Sequence, residues 1–232
     1  MPRIEWDQIG EKLFETGIDR GVLYVYDASN EIAGHYGPAV AWNGLTSVTE
    51  TPSGADSNKQ YADNGIYANL RGVEEFGGTI EAFMAPDEFA ECDGQKTVSG
   101  VRVSGQTRKT FGLCYRTLEG NDTEGLEHGY KLHLVYGATA SPSDRTYETV
   151  NESPEAGSLS WEYDTVPVPI TIDSVEKKTS LLTISTRDVT EAQMKALEDV
   201  LYGTAGTGGA TGTTGYLPLP DKVIEIITEA AG

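Results

Sequence analysis

Short runs that alternate apolar and polar residues recur along the chain, divided by clusters of glycine, asparagine, aspartate and serine. A period of two places successive side chains on opposite faces, so this texture predicts many strands joined by turns. Gly21–Tyr26 (GVLYVY) reads as the first strand and stops at Asp27-Ala28-Ser29-Asn30. Val40–Val48 (VAWNGLTSV) reads as a second, with Asn43-Gly44 marking a turn or a bulge. Thr51–Gly65 is polar and rich in turn formers, so it reads as a loop, longer than most connections. Gly78–Met84 (GTIEAFM) alternates as a half-buried strand does. Pro86–Cys92 (PDEFAEC) predicts one or two helical turns, with proline at the start and acids in the first turn. Val98–Val103, Lys109–Leu118 (KTFGLCYRTL) and Tyr130–Ala138 (YKLHLVYGA) read as strands, the last two flanking a hairpin-like loop at Glu119–Gly129. Ser158–Ile170 is extended, and Pro167 and Pro169 place its second half at an edge or in a crossover. Ser180–Ser185 (SLLTIS) is the last short strand.

One helix stands out. Thr190 suits an N-cap, Gln193 completes a capping box, and Met194, Leu197, Val200 and Leu201 form an apolar stripe at helical spacing. Gly203 follows as the stop signal. Such a stripe predicts a helix packed on a sheet. Gly203–Gly215 (GTAGTGGATGTTG) has the composition of a flexible tether. After it, Pro220 opens a short helix with Val223, Ile224 and Ile227 on one face. A tether lets that segment fold back on its own domain or dock on a neighbour, and the sequence leaves both open. The expected architecture is mainly β. One domain spans 1–203 with a packed α-helix at about 190–202, a Gly/Thr-rich linker spans 204–215, and a C-terminal arm spans 216–232.

Charge narrows the partners. The 232 residues carry 36 Asp and Glu against 17 Lys and Arg, a net charge of −19. Direct wrapping of nucleic acid is disfavoured, because that affinity comes from cations that neutralise phosphates. Anionic membrane surfaces are disfavoured for the same reason. Cys92 and Cys114 fit neither a zinc knuckle nor a C-x-x-C site; they admit one disulfide, and two buried free thiols suit a reducing cytoplasm better. The first residues lack the apolar core of a secretory signal, and no apolar run approaches the roughly 20 residues that span a bilayer.

Catalytic chemistry finds little support. His133 shares a strand face with Lys131 and Val135, which reads as a solvated or interface histidine; His35 and His128 lie in glycine-flanked turns. No histidine pair has zinc-ligand spacing, and there is no P-loop or nucleophile elbow. Cys114, in a predicted strand, reads as a small buried hydrophobe. Glu74, Glu75, Asp87, Glu88, Glu91 and Asp93 supply carboxylates for a glycosidase pair, but so acidic a chain brings carboxylates together by chance. Asp19, Asp63, Asp122 and Glu124 lie in predicted loops without EF-hand spacing. Neither catalytic nor cofactor nor metal residues are assigned. Trp42, Trp161 and the 12 tyrosines are the aromatics that a carbohydrate-binding β-sandwich, the alternative reading, would use, although both tryptophans sit in strand-like patterns that favour burial.

A larger resemblance runs through the segments that carry no chemistry. In order, they are GVLYVYDASNEIAGHYGPAVAWNGLTSVTETPSG at Gly21–Gly54, QYADN at Gln60–Asn64 and EEFGGTIEAFMAPDEFAECDG at Glu74–Gly94. FGLCYRTLEGNDTEG at Phe111–Gly125, GYKLHLVYGA at Gly129–Ala138, SPEAGSLSWEYDTVPV at Ser153–Val168 and ALEDVLYG at Ala196–Gly203 follow. From about Gly17 to Gly203, and again at LPLPDKV, the chain resembles the major tail protein of long-tailed phages and prophages of Gram-positive hosts. The resemblance implies a β-sandwich or barrel-like tail-tube domain with a packed helix. Such subunits are not enzymes. They form hexameric rings that stack around a tape-measure protein and meet tail terminator and distal tail proteins. The virion tail's acidic lumen then conducts DNA without binding it specifically. The loop at Thr51–Gly65 and the C-terminal arm resemble segments that bridge subunits and rings, which points to Asn58, Lys59, Gln60, Tyr61, Asp63, Tyr216, Leu217 and Leu219 as contacts. On that reading, deleting Tyr216–Gly232 leaves the domain folded and weakens stacking.

Overall fold

The longest alternating stretches become the longest strands. A computed structural model of the chain describes residues 3–30, 34–147, 149, 152, 156–206 and 211–231. The first strands are β1 (Phe14–Val25), β2 (Val40–Trp42), β3 (Leu45–Gly54), β4 (Ser57–Ala62), β5 (Gly65–Arg71) and β6 (Glu74–Ala82). A 3-10 turn at Asp87–Glu91 leads to β7 (Gln95–Val98), β8 (Val101–Ser104), β9 (Phe111–Asn121) and β10 (Gly125–Ala140). Then come β11 (Leu159–Thr165), β12 (Val168–Ile172), β13 (Val175–Thr179) and β14 (Leu181–Ser185). Helix α1 (Glu191–Tyr202), the short pair β15 (Gly203–Thr204) and β16 (Thr213–Thr214), and helix α2 (Pro220–Glu229) complete the chain.

Antiparallel pairing runs in the order β2-β1-β9-β10-β11-β6-β3, with β14 beside β10. Strands β2 and β3 occupy opposite ends of this order, yet only Asn43-Gly44 joins them. The sheet therefore curls until its ends meet, which is the barrel-like form of a mainly β domain. Strand β10 changes partners along one edge: Lys131–Val135 pair with β14 and Ala138–Ala140 with β11. Gly137 sits at the change, with φ 64°, and any Cβ there would lie 2.1 Å from the Val166 carbonyl oxygen. Only glycine fits that backbone crossing.

Alternation divides the buried residues into two cores. Leu23, Ile80, Leu113, Val135, Trp161 and Tyr163 face the inside of the curled sheet. The 3-10 turn delivers Phe89 there, with its ring 4.7 Å from that of Trp42 and 5.4 Å from that of Trp161. Val22, Tyr24, Cys114, Leu132, Leu134 and Tyr136 face the other way, against Met194, Leu197 and Leu201 of α1 and Val223 and Ile226 of α2. The capping box forms as the sequence predicts: Thr190 and Gln193 bond reciprocally, and Gly203 ends α1. No helix among the described residues is long and apolar enough to cross a membrane.

Four expectations change. Thr51–Gly65 is not a loop: β3 runs to Gly54, and β4 pairs with β5 around a tight turn at Asp63-Asn64. Both faces of that pair meet solvent, so its sequence shows no alternation to read. Val98–Val103 holds a turn rather than one strand, with Ser99 and Gly100 at φ 50° and 83°. Strand β13 lies in a stretch too polar to have been assigned. The chain carries two packed helices, not one, because the segment after residue 215 folds back. The Gly/Thr-rich stretch is clipped at its base by β15 and β16, and its residues 207–210 lie outside the described residues.

Buried phenols and amides fasten the last segment. Tyr24 donates to the Leu201 carbonyl at 2.8 Å and Tyr136 to that of Pro218 at 2.9 Å. Gln193 donates to the Ile227 carbonyl at 2.9 Å, tying α1 to α2. Truncating Leu197 to alanine is expected to cost about 2–5 kcal/mol in urea denaturation, the usual cost of a buried leucine cavity. Deleting Tyr216–Gly232 removes Leu217, Val223 and Ile226 from the core. Contrary to the expectation from sequence, the truncated chain is expected to lose its cooperative thermal transition in calorimetry.

Candidate assembly surface

The ladder between β3 and β6 does not stop at the body of the sheet. It runs to Gly54 opposite Glu74, and continues through Ala55 N–H to Val73 carbonyl (3.1 Å) and Gly72 N–H to Asp56 carbonyl (3.1 Å). Positive φ at Gly54 and Ala55, 77° and 55°, bends the ribbon at this point. Beyond the bend, β4 and β5 pair only with each other among the described residues. Six residues of β4 at about 3.3 Å each carry the ribbon roughly 20 Å outward. Its tip uses Asp63 and Asn64, both with positive φ, followed by Gly65, the backbone demanded by a tight hairpin turn.

Every residue of β4, and all of β5 except Ala68, is exposed. Tyr61 and Tyr67 are 71% and 78% exposed, and Ile66, Leu70 and Val73 stand open beside them. A lone two-stranded hairpin is marginal in water, so this ribbon has the composition and exposure of a surface that gains its order by contact. Other segments share the character: Val98, Val101 and Val103 on β7–β8, Ile172 and Val175 at the tip of β12–β13, and Ile4, Trp6 and Ile9 before β1.

The structure groups some of the expected contact residues and separates others. Asn58, Lys59, Gln60, Tyr61 and Asp63 all lie on the ribbon, with Asp63 at the tip; Gln60 donates to Asn58 at 3.1 Å along one face. Tyr216, Leu217 and Leu219 lie instead against the helical side of their own domain. Leu217 is fully buried, filling the space above Gly112, and Leu219 packs over Gly34. The Tyr216 amide donates to the Val200 carbonyl at 2.9 Å. Sequence reasoning missed the second strand of the ribbon, including Ile66, Tyr67 and Leu70, and the exposed Trp6. The Asn64-Gly65 dipeptide was the available hairpin signal.

A second surface is polar without cations. On the uncovered outer face of β3, β6 and β11, Glu75, Glu81, Glu162 and Asp164 alternate with buried Ile80, Trp161 and Tyr163. Serines and threonines take most of the remaining outward positions of these strands, and Ser47 donates to Glu81 at 2.8 Å.

The residues weighed for chemistry fall elsewhere. His133 is not solvated but 8% exposed, stacked flat on Tyr115 with ring centroids 4.7 Å apart. Its Nε2 lies 2.9 Å from Thr117 Oγ1 and its Nδ1 3.2 Å from Glu50 Oε1, while Tyr115 donates to the same carboxylate at 2.5 Å. Burial comes from β3, which brings Glu50 over the inner face of β10. The close approach of His133 and the bond from Tyr115 hold Glu50 below its ordinary pKa against the opposing effect of burial. Cys92 and Cys114 are buried free thiols, each pushed up to about 12 by burial, so neither is a thiolate near neutral pH. Asp87, Glu91 and Asp93 are paired with Arg102, Lys109 and Arg108. Asp19 pairs with Arg116, Asp122 accepts from the Gly10 amide, and Glu124 meets His128, so these carboxylates do not converge on one site. No cluster among the described residues could hold a metal ion. Trp42 and Trp161 are both core residues, closed to a sugar ligand.

Comparison with models of known protein families finds none that matches, and comparison with curated proteins finds no match.

Glu50 makes the polar network testable. Its folded pKa is depressed, so its ionised form stabilises the protein above the unfolded carboxylate value of about 4.5. That contribution is lost as pH falls through the lower folded value. Glu50→Gln keeps an acceptor for Tyr115 but removes the charge. Urea titrations are expected to show the variant less stable at pH 7, with the difference closing as pH falls below about 4.5.

Proposed function

We propose that this chain is a structural subunit of a phage tail tube. Copies close into hexameric rings, the rings stack around a tape-measure protein, and DNA passes through an acidic lumen. The observation that carries this reading is the β4–β5 ribbon, a two-stranded projection with exposed tyrosines and aliphatics that, among the described residues, pairs with no other strand. A repeating assembly has a use for such a projection, because ordering each ribbon on a neighbour offsets its marginal stability.

Two further observations support it. The curled β domain carries helices on one side only, leaving a sheet face whose charged residues are carboxylates alone. Repeated around a ring, a surplus of carboxylates repels phosphate, so DNA would slide rather than adhere. The ordered resemblance of the sequence to major tail proteins agrees with this. Tail terminator and distal tail proteins are the expected partners at the tube's ends, and the virion tail its location.

Negative-stain electron microscopy of concentrated protein, with mass by light scattering, is expected to show rings or hollow tubes of sixfold symmetry. Replacing residues 55–73 by Asn-Gly closes β3 onto β6 directly. That variant is expected to keep the circular dichroism and thermal transition of the parent and to form no tubes. A parent chain that stays monomeric up to millimolar concentration would overturn the reading.

A further inference from the structure

The cations of this acidic chain divide by location. On the helices and the main sheet, each Lys or Arg has a carboxylate within 4 Å: Arg20 with Glu198, Arg116 with Asp19, Lys131 with Glu15, Arg187 with Glu119, Lys195 with Asp199 and Lys222 with Glu225. Those with no carboxylate partner among the described residues all lie on the N-terminal segment or on hairpins outside the main sheet. They are Arg3 and Lys12, Lys59 and Arg71 on the ribbon, Lys96 on β7, and Lys177 and Lys178 on β13. Ribbon residues 55–73 hold Lys59 and Arg71 with Asp56 and Asp63, and β7–β8 holds Lys96 beside Arg102, which pairs with Asp87. These projections thus carry cations without a carboxylate partner in a chain whose net charge is −19.

We propose that Lys59, Arg71 and Lys96 form the cationic half of a contact whose other half is the carboxylate-rich body of a second copy of this chain. The inference rests on the self-assembly reading above and adds the force that drives and orients it. Charge complementarity selects the occupant. The body of each copy carries more carboxylates than it has cations to pair, and the hairpins carry cations that no body carboxylate reaches. Aliphatic and aromatic side chains beside them, Tyr61, Leu70 and Val98, supply area once the charges have met. The contact joins two different surfaces, a hairpin of one copy and the body of the next, as a heterologous contact does. Heterologous contacts propagate into rings and stacks instead of stopping at dimers. Exposed ion pairs are screened within about 8–10 Å at physiological salt, so assembly driven this way is weakened by salt, the opposite of a purely apolar contact.

The test is sedimentation of the full chain from 25 mM to 1 M NaCl, comparing the parent with K59E/R71E and with K195E/K222E. The two variants change net charge equally, but the second lies on the helices. The parent's critical concentration is expected to rise at least about ten-fold across the salt series, and K59E/R71E to need at least about ten-fold more protein at 150 mM salt. K195E/K222E and the conservative K59R/R71K are expected to assemble as the parent does. Circular dichroism guards against misfolding, and the ribbon's two exposed faces make that outcome separable from lost contact. Tubes that form equally at all salt concentrations and with K59E/R71E would overturn the electrostatic contact while leaving the tube reading standing. A parent that never associates overturns both.

Discussion

Burial of the β9–β10 pair on both faces is the constraint from which the rest of the structure follows. Cys114, Leu132, Leu134 and Tyr136 point toward the helices, while Leu113, Tyr115 and Val135 point into the curled sheet. A strand between two cores has its register set from both sides. A slip of one residue would drive Lys131 and His133 beneath the helices and break their bonds to Glu15 and Thr117. Both neighbouring layers, the inner aromatic cluster and the helical cover, are therefore aligned by the same pair.

The helical cover is held by polar contacts as well as by apolar area. Tyr24 and Tyr136 send their hydroxyls across the core to carbonyls of the segments that end α1 and precede α2. Burial raises both phenols well above their ordinary pKa, so they remain donors across the accessible pH range. Tyr36 accepts from the Gly137 amide at the place where β10 changes partners. These bonds place chain-terminal residues in the middle of the fold, which is why the last segment belongs to the domain rather than to an arm.

What the core does not hold is as informative as what it does. The ribbon, the β7–β8 and β12–β13 hairpins and the residues before β1 expose apolar side chains that the domain leaves uncovered, and they carry the cations left without a carboxylate partner among the described residues. The body keeps a surplus of carboxylates and a sheet face free of cations. Apolar exposure and charge separation thus coincide on the same projecting segments, which is the arrangement expected where order is completed by another molecule.

The sequence by itself determined the elements whose faces differ: the strands around GVLYVY, FGLCYRTL and YKLHLVY, and the helix marked by Thr190, Gln193 and Gly203. It also singled out Asn58–Tyr61 and Asp63, which the structure sets together on the exposed ribbon, though as a loop and without Ile66, Tyr67 or Leu70. A ribbon wet on both faces has no hydrophobic period, so composition alone made it resemble a loop. Tertiary structure decided the fate of Leu217, Val223 and Ile226, because a tether permits several destinations and only the vacant space over Gly112 and α1 selects one. It decided the burial of His133 as well, since the covering Glu50 arrives from a strand more than 80 positions away. Local pattern reports which face of an element is apolar; which surfaces then meet depends on closure of the sheet, a property of pairings between residues far apart in the chain.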